Sequence, residues 1–188
     1  YPYTEMPCGR YLAVLRDVLD RALKVASEAE VFHVVTRETP AIFEANRLKM
    51  LETRETAGIA LRLIKDGRLG FAVTTNMEDI GGLVDNAVEL AAFGATTCIE
   101  LPAYAEPPPV AVYDPAIEKI SVDDMIHLGQ SLVDGIRATS SELLIDGRVT
   151  RAVSTISLLN SRGGEVTYTK GVFGVGMEAM LVRGEDML

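Results

Sequence analysis

At 188 residues, with 48% hydrophobic and 24% charged side chains, the chain has the composition of an ordinary soluble globular protein and can bury a full core within one domain. No apolar run approaches the roughly 20 residues of a membrane-spanning helix. The formal net charge is −9 and Lys and Arg are scattered singly, which excludes the clustered basic surface that duplex DNA binding requires.

Leu12, Leu15, Leu19, Ala22, Leu23 and Ala26 recur at helical spacing and predict a first amphipathic helix ending near Glu30. Val31 to Thr36 is β-rich and predicts a strand, which Pro40 ends. Ala41 to Leu51 predicts a second extended segment. Residues 58–75 then read as two strands joined at Asp66-Gly67, a dipeptide that tight two-residue hairpins prefer. Ile59, Leu61 and Leu63 alternate with Ala60, Arg62 and Ile64, and Leu69, Phe71 and Val73 with Gly70, Ala72 and Thr74. This is the period of half-buried strands. Ile80, Leu83, Val84, Ala87, Val88 and Ala91 return to helical spacing and predict a second helix.

Between Gly94 and Lys119 the periodicity fails, and Pro102, Pro107, Pro108, Pro109 and Pro115 each remove a backbone donor. This predicts a long surface connection. Ser121 followed by Asp124 opens a third helix, with a hydroxyl for the free amides of the first turn and a carboxylate at its positive end. Its apolar stripe is Val122, Met125, Ile126, Leu132, Val133 and Ile136. The last third predicts strands at Glu142–Ile145 and Val149–Leu159 around an Asp146-Gly147 turn, a further turn at Arg162-Gly163-Gly164, and strands at Glu165–Lys170 and Phe173–Val182. Short connections imply antiparallel neighbours. The expected class is therefore α+β: a largely antiparallel sheet of sequential hairpins with about three amphipathic helices packed on it. Residues 1–188 are expected to form one domain, and the proline-rich connection 94–120 is where it would divide.

The succession Gly58, Arg62, Gly67-Arg68-Leu69-Gly70, Phe71 to Thr75 and the alanine-rich Ala87 to Ala92 resembles the first domain of the TldD/PmbA family. Upstream the likeness reaches the helix and strand before Thr36. Downstream it reaches Leu158-Leu159-Asn160-Ser161-Arg162-Gly163, similar to the family's Asn-Ser-x-Gly stretch and closer to the PmbA type. The order of elements carries the resemblance more than any one motif. It implies a cytoplasmic, zinc-metallopeptidase-related assembly for peptide degradation or maturation, whose members have been described as modulators of DNA gyrase. The implied partners are a related family subunit, in a homo- or heterodimer, and a peptide substrate, with no direct nucleic acid and no membrane.

TldD-type members carry a helical His-Glu-x-x-x-His, two imidazoles for a metal and a Glu for the proton of the attacking water. Neither His33 nor His127 stands before a Glu or has a His one helical turn away. No catalytic, cofactor-binding or metal residue is therefore assigned to this chain, and zinc is expected in a missing C-terminal part or a partner subunit. Tyr1 in place of Met suggests an excised fragment, a processed chain or missing leading residues, and no signal peptide opens it.

Gly171, Gly174 and Gly176 have the wrong spacing for a dinucleotide fingerprint and read as strand glycines. Asp123-Asp124 reads as first-turn charge, and Glu185-Asp186 as a solvated tail. Ser154, Ser157 and Ser161 lack a base. Met177, Met180 and Met187 read as core or edge residues. Cys8 and Cys98 read as two ordinary buried thiols in a reducing compartment, with a single bridge as the alternative. The rival to the peptidase-related reading is a stand-alone binding module whose sheet edge takes up an extended partner strand.

Overall fold

The computed structural model describes residues 8–183 and 186–187; the side chains of residues 8–10, 182–183 and 186–187 lie outside that description. In chain order the elements are α1 (Cys8–Ala22), β1 (Glu28–Glu44), β2 (Arg47–Leu51), β3 (Arg54–Lys65), β4 (Arg68–Thr74), α2 (Ile80–Ala91), a short 3-10 turn (Pro115–Lys119), α3 (Val122–Arg137), β5 (Leu143–Asn160), β6 (Glu165–Arg183) and β7 (Asp186–Met187). The strands are ordered β4-β3-β1-β5-β6-β7, with β2 paired to β1 off this path. The hairpins β1–β2, β3–β4 and β6–β7 are antiparallel. The fold is α+β, with the antiparallel sheet that the short connections dictate.

The chain divides into two units. The first comprises the chain up to Thr36, Thr56–Val110 and Thr155–Thr169; the second comprises Arg37–Glu55, Ala111–Ser154 and the chain from Lys170 on. Strands β1, β3, β5 and β6 supply residues to both. In the first unit, Leu15 and Val18 of α1 and Leu83 and Ala87 of α2 are buried with Val31 of β1 and Ile59, Leu61 and Leu63 of β3. In the second, Met125 and Val133 of α3 are buried with Ala41 and Phe43 of β1 and Ile145 and Val149 of β5.

The β3–β4 hairpin has the expected geometry. Lys65 pairs with Arg68 across the two-residue turn, and Asp66 and Gly67 take φ of 51° and 71°. Ile59, Leu61 and Leu63 face the core. In β4 the buried face is the small one, Gly70 and Ala72, while Phe71 and Val73 are 52% and 61% exposed. The reason is the approach of α2: a Cβ at Gly70 would lie 2.0 Å from the Ala87 carbonyl oxygen. Only a strand stripped of side-chain bulk admits a helix so close.

Five sequence expectations are corrected. The first helix stops at Ala22, not near Glu30, because the Ser27 amide and hydroxyl both bond the Ile64 carbonyl at 2.9 Å and draw the chain into the sheet. Pro40 does not end its strand. It lies one residue past the last β1–β2 pair, Ala41 with Leu51, beside the 52–53 break between β2 and β3, where the ladder is interrupted. Residues 41–51 are accordingly not one segment but a hairpin, turning at Ala45 and Asn46 with φ of 47° and 73°. Asp146-Gly147 is not a turn but the interior of β5. The Asp146 carboxylate accepts from the Ala45 amide at 2.8 Å, the Asn46 side chain accepts from the Ile145 amide at 2.9 Å, and a Cβ at Gly147 would meet Met177 Sδ at 2.2 Å. The Asp-Gly pair thus serves the β1–β2 turn and a close packing contact. Fifth, the two last strands are one, β6.

Candidate interaction surface

Among the described residues no three His, Cys, Asp or Glu side chains could hold a metal ion together. His33 lies on β1, 2% exposed and stacked on Tyr11 with ring centroids 4.9 Å apart. Its Nε2 has no hydrogen-bond partner, and burial holds its pKa below the ordinary histidine value. His127 is exposed on α3. Asp124 completes a capping box: its carboxylate accepts from the Ser121 amide at 3.0 Å and hydroxyl at 2.6 Å, and its amide donates to Ser121 Oγ at 3.0 Å. The hydroxyl and amide bonds lower its pKa. Ser157 is hydrogen-bonded to Thr167 at 2.9 Å in the core. Cys98 is free and exposed, which overturns its assignment as a buried thiol; the side chain of Cys8, with Glu185 and the side chains of Asp186 and Met187, lies outside the described residues.

The residues behind the resemblance have structural roles. Arg62 pairs with Glu30 at 2.6 Å, and Arg68 donates to the Gly94 carbonyl at 3.0 Å. In the β5–β6 turn the buried Asn160 carbonyl accepts from the amides of Arg162 at 2.9 Å and Gly164 at 2.8 Å. Its amide donates to the Pro102 carbonyl at 2.9 Å. Ser161 exchanges bonds with the backbone of Ala29, and Arg162 reaches Glu100 and the Leu101 carbonyl, both at 3.1 Å. Glu28 accepts from the Leu101 amide at 2.8 Å. The turn therefore fastens the start of the proline-rich connection. In the second unit Glu38 lies between Arg54, at 2.8 Å, and Arg148; the Arg54 hydrogen bond is the main cause of its lowered pKa. Gly171 donates its amide to the Val112 carbonyl at 3.0 Å, the close backbone approach expected of a strand glycine.

What remains open is apolar. Beside the outer strand β4, a groove of about 470 Å³ is walled by Leu90 and Phe93 at the end of α2, with Asn86 and Glu89 as its polar members. Leu90 is 52% and Phe93 88% exposed. On β6, Phe173 and Val175 are also exposed. The sequence signal for the first surface was the pairing of a Gly70/Ala72 face with an alanine-bearing helix. Small residues on both elements turn the large ones of β4 outward.

Residues 29–91 match the family model described as PmbA/TldA metallopeptidase domain 1. Residues 29–91 are therefore a first domain of the TldD/PmbA family. The fold agrees. TldE from Thermococcus kodakarensis superposes with a TM-score of 0.72 at 21% identity, over 93% of this chain and 40% of that one. A Bacteroides thetaiotaomicron protein described as a candidate modulator of DNA gyrase gives 0.81 at 17% identity, over 96% and 43%. A Thermotoga maritima protein of the same description gives 0.70 at 14%, over 94% and 41%. At these identities the likeness is one of fold, and the chain spans about two-fifths of each structure's length. No curated protein matches it significantly. No helix among the described residues is long and apolar enough to cross a membrane.

Proposed function

We propose that this TldD/PmbA-family domain is the non-catalytic N-terminal part of a cytoplasmic, zinc-metallopeptidase-related assembly that degrades or matures peptides. The observation that carries the reading is the family match over residues 29–91. The domain works beside a related family subunit, as a homo- or heterodimer, and contributes a docking surface for the peptide. Zinc and the residues that activate water belong to chain outside these residues or to the partner. The Asn160-Ser161-x-Gly163 turn favours the PmbA type. Any effect on gyrase, the role in the names of two similar structures, runs here through protein contacts or peptide processing rather than through DNA.

The test is metal analysis and peptide hydrolysis by the untagged chain alone and after co-expression with a relative that bears His-Glu-x-x-x-His. Zinc and hydrolysis are expected only with the relative, which co-purifies with the chain. Near-stoichiometric zinc in the chain alone, lost on changing His33 or His127, overturns the reading. The stand-alone binding module is the second reading, favoured by the open edge of β4.

A further inference from the structure

The backbone of β4 has a fixed parity. Gly70, Ala72 and Thr74 pair with Leu63, Leu61 and Ile59 of β3. The Leu69 amide points the other way and donates to the Ala95 carbonyl at 3.1 Å, while the Gly67 carbonyl accepts from the Thr97 amide at 2.9 Å. Arg68 and Thr96 form an antiparallel bridge there. The chain itself thus adds a short strand to the first half of this edge, which shows that the edge accepts one. The outward amides and carbonyls of Phe71 and Val73 share the parity of Leu69, yet among the described residues no backbone group bonds them. A row of unpaired strand groups calls for another backbone. The groove lies alongside these two residues, and Glu89 is its only charged member.

We propose that the open half of the β4 edge, with the groove beside α2, takes an extended peptide segment as an added strand. The peptide is apolar at alternate positions and carries a Lys or Arg against Glu89. Its main chain supplies the partners for Phe71 and Val73, and its apolar side chains cover Leu90 and Phe93. Charge selects the occupant. A second copy would bring another Glu89 and a further net charge of −9 to the same place, whereas a basic peptide neutralises both. The proposal deepens the docking role above and rests on it for the class of ligand.

The probe is acetyl-Val-Lys-Val-Lys-Val-amide, titrated into the isotope-labelled 188-residue chain and followed by amide chemical shifts. Saturable shifts at Phe71 and Val73 are expected. Binding should weaken by about tenfold or more with Glu in place of both Lys, with alternate backbone amides N-methylated, or in a Glu89→Lys chain. The methylated peptide needs no change to the protein, so a misfolded variant cannot hide the answer. Equal binding of the methylated peptide, shifts confined to other residues, or no shift at millimolar peptide each overturn the proposal. So does ultracentrifugation showing this edge already paired with a second copy. None of these outcomes bears on zinc or hydrolysis, so the edge can fail while the family role stands.

Discussion

Asn160 carries three hydrogen bonds from a buried position, two that close the β5–β6 turn and one that holds Pro102. Asn160→Ala leaves two turn amides and a carbonyl without that partner, and the cost should be about 2–3 kcal/mol. Chemical denaturation checks it, and a loss under about 0.5 kcal/mol would mean that water replaces the side chain. His33 is the second residue whose surroundings set an outcome. Burial lowers its folded pKa, so below the ordinary value near 6.5 the unfolded chain binds a proton that the folded chain refuses. Stability should therefore fall as pH drops from 6.5, and the loss should level off once the lower folded value is passed. Glu38 and Asp124 have lowered pKa values too, but their contribution is present above the carboxylate range and lost as pH falls through it, below about 4.5, so the windows separate. His33→Leu should flatten the slope between pH 5 and 6.5 relative to the parent chain. An unchanged slope in urea titrations across that range would remove His33 as its source.

The β3–β4 hairpin was legible in the sequence because three local signals agree: alternation on both sides, Asp-Gly between, and a helix pattern directly after. Gly67→Val forces a β-branched residue into φ of 71° and should cost on the order of 1–3 kcal/mol. An unchanged melting temperature would contradict the turn. What alternation could not show is which face of β4 is buried, since that depends on α2 packing against Gly70. Gly70→Val would push its branch into the Ala87 carbonyl, so it should destabilise by at least as much as Gly67→Val. The misread elements share a cause. Pro40 and Asp146-Gly147 are breakers by local rule, and both lie inside strands because partners distant in sequence accommodate them: a gap in the ladder at Pro40, the Ala45–Asn46 turn and Met177 at Asp146-Gly147. The Ala45–Asn46 turn itself escaped notice because Asn tolerates positive φ without the glycine that normally marks it. The candidate surface was hidden for the same reason as the face of β4, because exposure of Phe71, Leu90 and Phe93 is decided by packing between elements.

At the scale of the whole molecule, charge and exposed apolar area pull in different directions. A net charge of −9 opposes both duplex DNA and like copies at long range, so binding of the chain to DNA at physiological salt should be weak and non-specific; tight duplex binding in a fluorescence titration would contradict this. At short range β6 offers Val172, Phe173, Val175 and Met180, all well exposed, so both faces of this strand are apolar. Among the described residues β7 pairs with it at Val182 and Arg183. Moderate salt screens the repulsion beyond roughly 8–10 Å and leaves the apolar attraction intact. The chain should therefore self-associate as concentration rises, more readily in moderate salt than in low salt. Val175 is 45% exposed, so Val175→Lys changes the surface without opening the core, and its positive charge beside Phe173 should return the chain to monomer. Light scattering across a concentration series, for parent and variant at two salt concentrations, checks this. A strict monomer at high concentration, indifferent to the substitution, would show that β6 is not a contact surface of the isolated chain.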